Sequence, residues 1–441
     1  MSLFVLLMML SAIFIHYYRY RFTPLVIIGS VEQIVIEPLE VYTNKLSYQV
    51  GDSIFIYIKS AETGQATINK TIQQNKIPVQ TFDFNIQDQQ INFTQSEKGC
   101  SWDISDTIII SEEFQPGYYS IDLETINYKT TFNFIIENRK KSKIAVLAPL
   151  STWVAYNDWG GKSLYVNNIE NKTTYYTSSK RPNPNNDIRV EANATNYFLT
   201  HYNSILLPDY SLEYDLELLK QVDVIVLNYH AEYFSELMYN NLVSLLEEYN
   251  VSLISLGANQ MYWKTYWHDN YEYMECRKDL TSFDNHILNY GGMWRHHINK
   301  SEHNVLGVQF TEEGMHSYAP YEVKNSDHWI YDNTYVKSGD MFGLYGIDSL
   351  PISGDETDKI NAYSNEITLL AKGLNCTSKN PYKNLDDNCS NNAGADFIIK
   401  TNPNYSVLST GSIQSGSGLG NDKVFTTMIN NFIHHEIDPY D

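Results

Sequence analysis

Three apolar runs, separated by longer segments, mark the later part of the chain as a parallel sheet. They are Ile144–Pro149, Asp223–Leu227 and Val251–Leu256, and a segment with helical spacing of apolar residues, Leu237–Tyr249, precedes the third. Strands buried on both faces that alternate with helices are typical of doubly wound α/β domains. Further predicted elements are strands at Asn304–Phe310, Ile367–Ala371, Ala395–Ile399 and Val407–Ser409, and an amphipathic helix at Lys423–His434. The pattern predicts an α/β domain over residues 143–441.

Residues 31–138 show a different pattern, in which apolar and polar residues alternate over short segments. Ile54, Ile56 and Ile58 alternate with polar residues after a Gly-Asp turn. Other predicted strands are Asp106–Ile110, Tyr118–Leu123 and Tyr128–Ile136, and residues 64–90 are predicted as strands with long loops. Short strands separated by turns are typical of an immunoglobulin-like sandwich. The charged segment Asn138–Lys143 is the predicted boundary between the two domains.

The amino terminus is apolar from Leu3 to Ile15. This is too short for a spanning helix, which needs about 20 residues, and it is typical of a secretory signal. Arg19 and Arg21 follow it, so an uncleaved signal anchor over residues 1–30 is the alternative. The segment predicts a secreted, lumenal or cell-surface protein, and it leaves open an attachment to the membrane.

Glycosylation sequons and cysteines agree with an exported protein. Sequons of the form Asn-x-Ser/Thr begin at Asn69, Asn92, Asn171, Asn193, Asn250, Asn299, Asn375, Asn388 and Asn404. Cys376 and Cys389 bracket a polar loop that a disulfide would close in an oxidising compartment. Cys100 and Cys276 are either paired or free, and the sequence contains no zinc-finger spacing.

The net charge of the chain indicates which kinds of binding partner to expect. The formal net charge is -21, with 52 acidic and 31 basic residues among 441. A nucleic acid is therefore not an expected partner, because its phosphates require lysine and arginine. The chain is long enough for two or three domains, each with its own hydrophobic core. We expect a small-molecule ligand, and self-association into a homo-oligomer stays open.

Polar side chains gather in three loops that follow predicted strands, at Ser151–Tyr165, His230–Ser235 and Gly257–Trp263. The carboxyl ends of parallel strands share one edge of a sheet, so we expect these loops to converge. The sequence lacks a nucleophile elbow, an EF-hand loop and a glycine-rich phosphate loop. Tyrosine, glutamate and asparagine oxygens remain, with a histidine nearby. Phenolate and carboxylate oxygens are hard ligands suited to ferric iron, and a bound metal ion can convert water to hydroxide near neutral pH.

Each of these residues also has a simpler interpretation. Tyrosine makes up 35 of 441 residues, so a tyrosine in a loop is more often a packing or surface residue. Glu232 stands where a helix is predicted to begin, where it can interact with the helix dipole. His230 can equally be a loop histidine held by hydrogen bonds. Residue types alone therefore leave metal binding and packing as alternatives.

A set of motifs in one order points to a known family. The most specific is Ala155–Tyr165, which reads Ala-Tyr-Asn-Asp-Trp-Gly-Gly-Lys-Ser-Leu-Tyr. The others are Arg181-Pro182, His230–Ser235, Gly257–Asn259, Gly291–Arg295, His328-Trp329, Gly339–Gly343, Gly354–Asp358, Gly394–Asp396 and Gly411-Ser412. Over roughly residues 115–435 the chain resembles the N,N-dimethylformamidase large-subunit family.

The resemblance implies a fold and a metal site. The α/β domain would have a glutamine-amidotransferase-like, flavodoxin-type fold, and the β module before it would belong to the active subunit. The activity would be metal-dependent hydrolysis of an amide-type C–N bond at a mononuclear ferric site. Matched by motif, the ligands would be Tyr119, Tyr156 and Glu232, with Tyr118 as the competitor of Tyr119.

The resemblance also implies catalytic residues, and the sequence departs from the family in places. His230 and Asn259 would either support the metal ligands or orient the substrate, and Glu356 would act as an acid or base. Ala231 stands where the family usually has proline, Phe234 stands where it has tryptophan, and no small subunit is fused. The alternative hypothesis is an exported, glycosylated binding or cell-surface protein without catalysis. A carbohydrate-active protein is a third hypothesis, based on the 14% aromatic content.

Overall fold

The computed structural model describes residues 37–91, 96–165, 168–169, 172–182, 187–278, 289–375 and 393–437. Within these ranges the protein is a mixed architecture, rich in sheets and with few helices. No described helix is long and apolar enough to cross a membrane. The predicted signal at residues 1–30 and the loop that Cys376 and Cys389 bracket lie outside the described residues, so both stay predictions.

The β module contains two sheets. Its strands are β1 (Leu39–Thr43), β2 (Ser47–Tyr48), β3 (Ser53–Ser60), β4 (Gly64–Ile72), β5 (Asn75–Phe84), β6 (Asp106–Ile109), β7 (Gly117–Glu124) and β8 (Lys129–Ile136). One sheet has the order β1-β3-β6 and the other β2-β8-β7-β4-β5. Ile54, Ile56 and Ile58 are buried, as their alternation predicts. Strand pairing alone does not assign the module to the immunoglobulin-like class, which stays a prediction.

The rest of the chain alternates strands with helices and short turns. Its strands are β9 (Ile144–Ala148), β10 (Asn168–Ile169), β11 (Lys172–Thr173), β12 (Tyr176–Ser178), β13 (Ile205–Pro208), β14 (Val224–Tyr229), β15 (Tyr233–Ser235), β16 (Ser252–Gly257), β17 (Trp263–His268), β18 (Tyr273–Glu275), β19 (Gln309–Thr311), β20 (Tyr318–Ala319), β21 (Tyr321–Val323), β22 (Met341–Phe342), β23 (Ser353–Gly354), β24 (Thr357–Lys359), β25 (Ile367–Gly373), β26 (Asp396–Thr401) and β27 (Ser406–Ser409). Its helices are α1 (Leu150–Tyr156), α2 (Arg189–Tyr202), α3 (Ser211–Tyr214), α4 (Leu216–Leu219), α5 (Glu236–Glu247), α6 (His303–Leu306) and α7 (Lys423–Ile437). Short 3-10 turns lie at Ser96–Lys98, Trp159–Gly161, Trp329–Tyr331, Ile347–Ser349 and Ile413–Gly418.

A nine-stranded sheet with the order β13-β9-β14-β16-β27-β26-β25-β21-β22 forms the centre. Its first five strands are parallel, as the apolar runs predict for β9, β14 and β16. Numbered along the chain, those five strands lie in the order 2-1-3-4-5. The remaining four are antiparallel. Two of them, β25 and β26, lie at the predicted strands Ile367–Ala371 and Ala395–Ile399, but their antiparallel pairing was not predicted. The prediction is therefore confirmed for the parallel part of a larger, mixed sheet.

The two faces of the parallel strands bury separate apolar clusters. Along β9, Ile144, Val146 and Ala148 belong to one cluster, and Ala145 and Leu147 belong to the other. The second cluster includes the apolar face of α5, and the first includes α1, α2 and α7 together with the buried residues of the β module. One continuous core thus crosses the predicted boundary at residues 138–143. The division into residues 31–138 and 143–441 stays a prediction.

Two elements differ from the predictions. Part of the loop predicted at Ser151–Tyr165 is the helix α1, because Leu150, Trp153 and Val154 have helical spacing and are buried. The prediction of a strand at Asn304–Phe310 is wrong for the first half of that segment, which forms the helix α6. Gly307, with φ 76°, ends that helix, since glycine adopts left-handed conformations at no steric cost.

Three of the predicted glycosylation sites are buried in the folded protein. The side chains of Asn69, Asn193 and Asn375 are buried, and each amide donates to a neighbouring group, so these sequons are closed to glycosylation in the folded protein. Cys100 and Cys276 are both free thiols. The alternative that these two cysteines pair is therefore excluded in this structure.

Candidate active site

Three predicted site residues meet beyond the carboxyl ends of β9, β14 and β16. Tyr156, the last residue of α1, places Oη 2.6 Å from Oε2 of Glu232 and 2.9 Å from Nε2 of His230. His230 Nδ1 lies 3.1 Å from the carbonyl oxygen of Ala258, which joins the loop after β14 to the loop after β16. The convergence that we predict for the three loops is therefore confirmed.

Two further predicted residues complete the group. Asn259 donates from Nδ2 to Oε2 of Glu356 at 2.9 Å, and the same oxygen lies 3.9 Å from His230 Nε2. Glu356 stands between β23 and β24, next to Asp355, which has a φ of 64°. We call Tyr156, His230, Glu232, Asn259 and Glu356 the polar cluster. Its two carboxylates both lie near Nε2 of His230, Glu232 at 3.4 Å and Glu356 at 3.9 Å.

The backbone under the polar cluster is constrained. Gly257 ends β16, and a Cβ there would lie 1.6 Å from the carbonyl oxygen of Tyr229, so only glycine fits. Tyr229, Asn259 and Met261 all have φ between 49° and 59°, which side chains rarely adopt. Such strained residues concentrate at functional sites, where the surrounding structure holds them. The strain therefore agrees with a functional role for this edge of the sheet.

The helix α1 and the loop after β14 are held together through Glu232. Its backbone N–H donates to Oγ1 of Thr152 at 3.0 Å, and its carboxylate accepts from Tyr156. Burial opposes ionisation of Glu232, but the hydrogen bond and charge of His230 hold the pKa of Glu232 below its ordinary value. Burial would also lower the pKa of His230, but the carboxylates of Glu356 and Glu232 raise it to about 9. The imidazolium and the Glu232 carboxylate therefore stabilise each other.

The two other acidic groups of the polar cluster, Tyr156 and Glu356, have raised pKa values. Burial, reinforced by the charge of Glu232, raises the pKa of Tyr156 well above its ordinary value. Burial likewise raises the pKa of Glu356, although the charge of His230 opposes the change. Without a bound cation, the polar cluster contains one phenol, one imidazolium and one clearly ionised carboxylate, that of Glu232.

Lys278 is a site residue that the sequence did not reveal. Its Nζ donates to Tyr233 Oη at 2.8 Å and lies 4.3 Å from the centroid of the Trp263 ring. Burial lowers the pKa of Lys278, and the charge of Glu232 opposes that change. In the sequence, Lys278 opens a polar segment, where a charged residue is expected at the surface. Only the sheet order β12-β18-β17-β15 brings the end of β18 beside Glu232.

The predicted ligand Tyr119 has other partners. Its Oη donates to the carbonyl oxygen of Gln115 at 2.7 Å, and its ring stacks on Phe134 in the β module. Tyr118, the competitor, donates to Oε2 of Glu191 at 3.2 Å. Among the hydrogen bonds of the described residues, neither hydroxyl reaches the polar cluster. The ligand role of Tyr119 stays a prediction.

The polar cluster contains some of the ligands that a hard cation would need. The oxygens of Tyr156 and Glu232 are adjacent, and phenolate and carboxylate are the ligand types that ferric iron prefers. The described residues contain no group of three or more histidine, cysteine, aspartate and glutamate side chains arranged to hold a metal ion. Two of the three ligands implied by the resemblance are therefore together.

Comparison with models of protein families gives a match over most of the chain. A family model described as N,N-dimethylformamidase beta subunit-like, C-terminal, matches residues 70–427. The match begins within β4, so it includes part of the β module as well as the nine-stranded sheet and the polar cluster. No curated protein sequence matches the chain.

Proposed function

The chain belongs to the N,N-dimethylformamidase beta subunit-like family, and from this we propose that it hydrolyses an amide-type C–N bond in a small molecule. The observation that carries the proposal is the hydrogen-bonded unit of Tyr156, His230 and Glu232. A shared fold does not by itself imply a shared activity, so the argument rests on these groups.

We also propose that the parallel part of the central sheet is a glutamine-amidotransferase-like, flavodoxin-type core. The order 2-1-3-4-5 of its five parallel strands supports this, because it is the flavodoxin-like order. The polar cluster then lies at the carboxyl ends of the strands, where such sheets bind ligands.

The hydrogen bonds of the polar cluster indicate where its protons are. His230 Nδ1 faces a carbonyl oxygen, so it carries a proton. The hydroxyl proton of Tyr156 is directed at Glu232, so Nε2 of His230 must donate the second bond to Oη. His230 is then an imidazolium, in agreement with its raised pKa.

The polar cluster contains a proton donor and a proton acceptor, both of which amide hydrolysis needs. The oxygen of a water molecule bonds to the carbonyl carbon, the C–N bond breaks, and the leaving nitrogen takes a proton from Nε2 of His230. The proton released by the water passes to a carboxylate, for which Glu356 is placed beside His230. Burial of the polar cluster strengthens these electrostatic effects, because the local dielectric constant is low.

We propose that the site holds a ferric ion through Tyr156 and Glu232. A bound ferric ion would polarise the amide carbonyl and acidify a water molecule. Both residues would bind as anions, which requires Tyr156 to lose its proton. Tyr119 is the third ligand that the resemblance implies.

Iron content tests the metal proposal. The purified protein supplied with iron should bind one equivalent and show a visible tyrosinate-to-iron charge-transfer band. Tyr156→Phe should lose both the iron and the colour while the protein stays folded, because Glu232 keeps its ion pair with His230. Tyr119→Phe is the matched comparison: retained iron would remove Tyr119 from the ligand set. A Tyr156→Phe variant with a full equivalent of iron would contradict the assignment.

An exported binding protein without catalysis is the second candidate. The sequons at Asn250, Asn299 and Asn404 lie at exposed positions, which would suit a glycosylated surface protein. A protein that binds no iron and cleaves no member of an amide panel would favour this candidate.

A further inference from the structure

A buried glutamate outside the polar cluster joins three elements of the fold. Glu191, in the first turn of α2, is 1% exposed. Its Oε1 accepts from Nε1 of Trp153 at 3.0 Å, and its Oε2 accepts from Oη of Tyr118 at 3.2 Å. Its backbone carbonyl oxygen accepts from Nδ2 of Asn228 at 2.9 Å. The proposed hydrolysis assigns no step to any of these four residues.

The partners of this glutamate lead from the β module to the two elements that carry the site. Tyr118 lies in β7 of the β module. Trp153 lies in α1, three residues before Tyr156. Asn228 lies in β14, two residues before His230. The side chain and the carbonyl group of one residue therefore connect the β module to the helix and to the strand end that present the polar cluster.

A packing role alone does not explain a carboxyl group at this position. Burial of a carboxyl group is unfavourable unless donors or cations surround it, whereas an apolar side chain of similar size carries no such penalty. In the described structure no lysine, arginine or histidine pairs with Glu191, so Tyr118 and Trp153 supply its side-chain hydrogen bonds. A buried polar group whose partners come from different elements fixes those elements relative to one another.

We propose that Glu191 is a positioning residue, through which docking of the β module holds α1 and the end of β14 in the arrangement that the polar cluster requires. The inference concerns the site of the proposed hydrolysis, and only its activity measurement rests on that proposal. Tyr118 then acts through Glu191 rather than as a metal ligand. The ring of Tyr118 also contacts Trp153, at 5.9 Å between centroids, so removal of the hydroxyl alone isolates the hydrogen bond.

Amide hydrogen exchange of the full-length protein measures this link without a ligand, because it reports the local opening of each helix and loop. Tyr118→Phe should increase exchange in α1 and in the loop after β14 by about tenfold, the effect of losing one buried hydrogen bond. Exchange in α7 should stay unchanged. Tyr48→Phe is the matched control, since Tyr48 is a buried tyrosine of the same module whose hydroxyl donates to Asn44. It should leave exchange in α1 unchanged.

Two substitutions of Glu191 separate positioning from packing. Glutamine can accept from Trp153 and donate to Tyr118, because a hydroxyl group is both a donor and an acceptor. Burial raises the pKa of Glu191 to about 8, so glutamine also resembles its mostly uncharged form at pH 7. Glu191→Gln should keep the native exchange of α1, whereas Glu191→Met, which fills similar space without these bonds, should increase it about tenfold. In the Glu191→Met background, Tyr118→Phe should have no further effect on α1, since both changes remove the same link.

Three results would overturn the role of Glu191. The first is equal exchange of α1 in the Tyr118→Phe and Tyr48→Phe variants, a comparison that decides even where Glu191→Met does not fold. The second is a Glu191→Met variant that exchanges like Glu191→Gln. The third is complete loss of iron from Tyr118→Phe with native exchange in α1, which would make Tyr118 a metal ligand instead.

Hydrolysis of a small amide separates this inference from the proposed function. With iron supplied, kcat should fall about tenfold in Tyr118→Phe and in Glu191→Met, recover in Glu191→Gln and stay native in Tyr48→Phe. A protein that hydrolyses no amide but shows the expected exchange would overturn the proposed function and leave the role of Glu191 intact. Native kcat in Glu191→Met together with increased exchange would overturn the link between Glu191 and the site.

Discussion

At the scale of single residues, charge balance dominates the polar cluster. Glu232 is nearly fully buried, and a buried carboxylate is stable only when cations or donors surround it. His230 supplies one positive charge at 3.4 Å, and the charge of Lys278, which donates to Tyr233 Oη, also favours the ionised form of Glu232. Lys278 therefore supports the ionised state of the residue that we propose as a metal ligand.

Replacing Lys278 by methionine should lower kcat/KM by at least about tenfold, because the buried Glu232 loses a positive charge that favours its ionised form. Lys264→Met is the matched control, since Lys264 is a buried lysine of β17 that pairs with Glu236 outside the polar cluster. Lys264→Met should change the unfolding temperature without changing kcat/KM. Steady-state kinetics on both variants measures the difference, and equal losses would exclude a specific role for Lys278.

At the scale of elements, the short helix α1 positions the site. Asp209, which follows β13, accepts hydrogen bonds from the backbone N–H and Oγ of Ser151 in the first turn of α1. Thr152 on the next position accepts from the backbone of Glu232. The helix thus connects the end of β13 to the loop after β14, and Tyr156 extends from its last turn.

Thr152→Val should destabilise the fold by about 1–3 kcal/mol, because the buried N–H of Glu232 loses its acceptor. It should also lower activity, since the loop that carries Glu232 loses one of the hydrogen bonds that hold it to α1. Thr177→Val is the matched control, because the Oγ1 of the buried Thr177 has no hydrogen-bond partner within the described structure. Chemical denaturation should show Thr177→Val to be neutral or stabilising. A similar loss in both variants would contradict the role of Thr152.

Asp209 should make stability depend on pH. Burial raises the pKa of Asp209 to about 7, above its value in the unfolded chain, so its favourable contribution is complete below about pH 4 and disappears as pH rises through 7. Asp209→Asn cannot ionise, so its stability relative to the native protein should increase over that interval. The change has an upper limit on the order of 4 kcal/mol, from about three pKa units. Denaturation at pH 4, 6 and 8 measures it, and a constant difference would refute the assignment.

The elements also show where the sequence was informative. The strands β9, β14 and β16 could be predicted because continuous apolar runs are typical of buried parallel strands. The helix α1 was missed because its seven residues lie within a polar, motif-rich segment. Of the site, the end of a predicted strand indicated His230 and Glu232, whereas Tyr156, Asn259 and Glu356 were named from the family resemblance. The position of Lys278 depends on a small separate sheet, and no local pattern in the sequence specifies that pairing.

At the scale of the whole molecule, the β module supports the loop next to the site. Trp159, three residues after Tyr156, donates from Nε1 to Oε1 of Glu40 at 2.7 Å and meets Trp102 edge to face at 6.1 Å. Both of these partners belong to the β module. The continuous apolar core on this face of the central sheet joins the two parts over a much larger area.

The intact chain should therefore unfold in one cooperative transition, and the fragment 143–441 should not fold alone. Removing the β module would expose the apolar cluster that contains Ile144, Val146 and Ala148, and exposed apolar surface of that kind leads to loosely packed states. The fragment should bind a hydrophobic dye, show no calorimetric transition and fail to bind iron. Adding residues 31–138 as a separate chain should restore part of the transition, because the shared core can re-form. A fragment that unfolds cooperatively at the temperature of the intact protein would show instead that the two parts are independent domains.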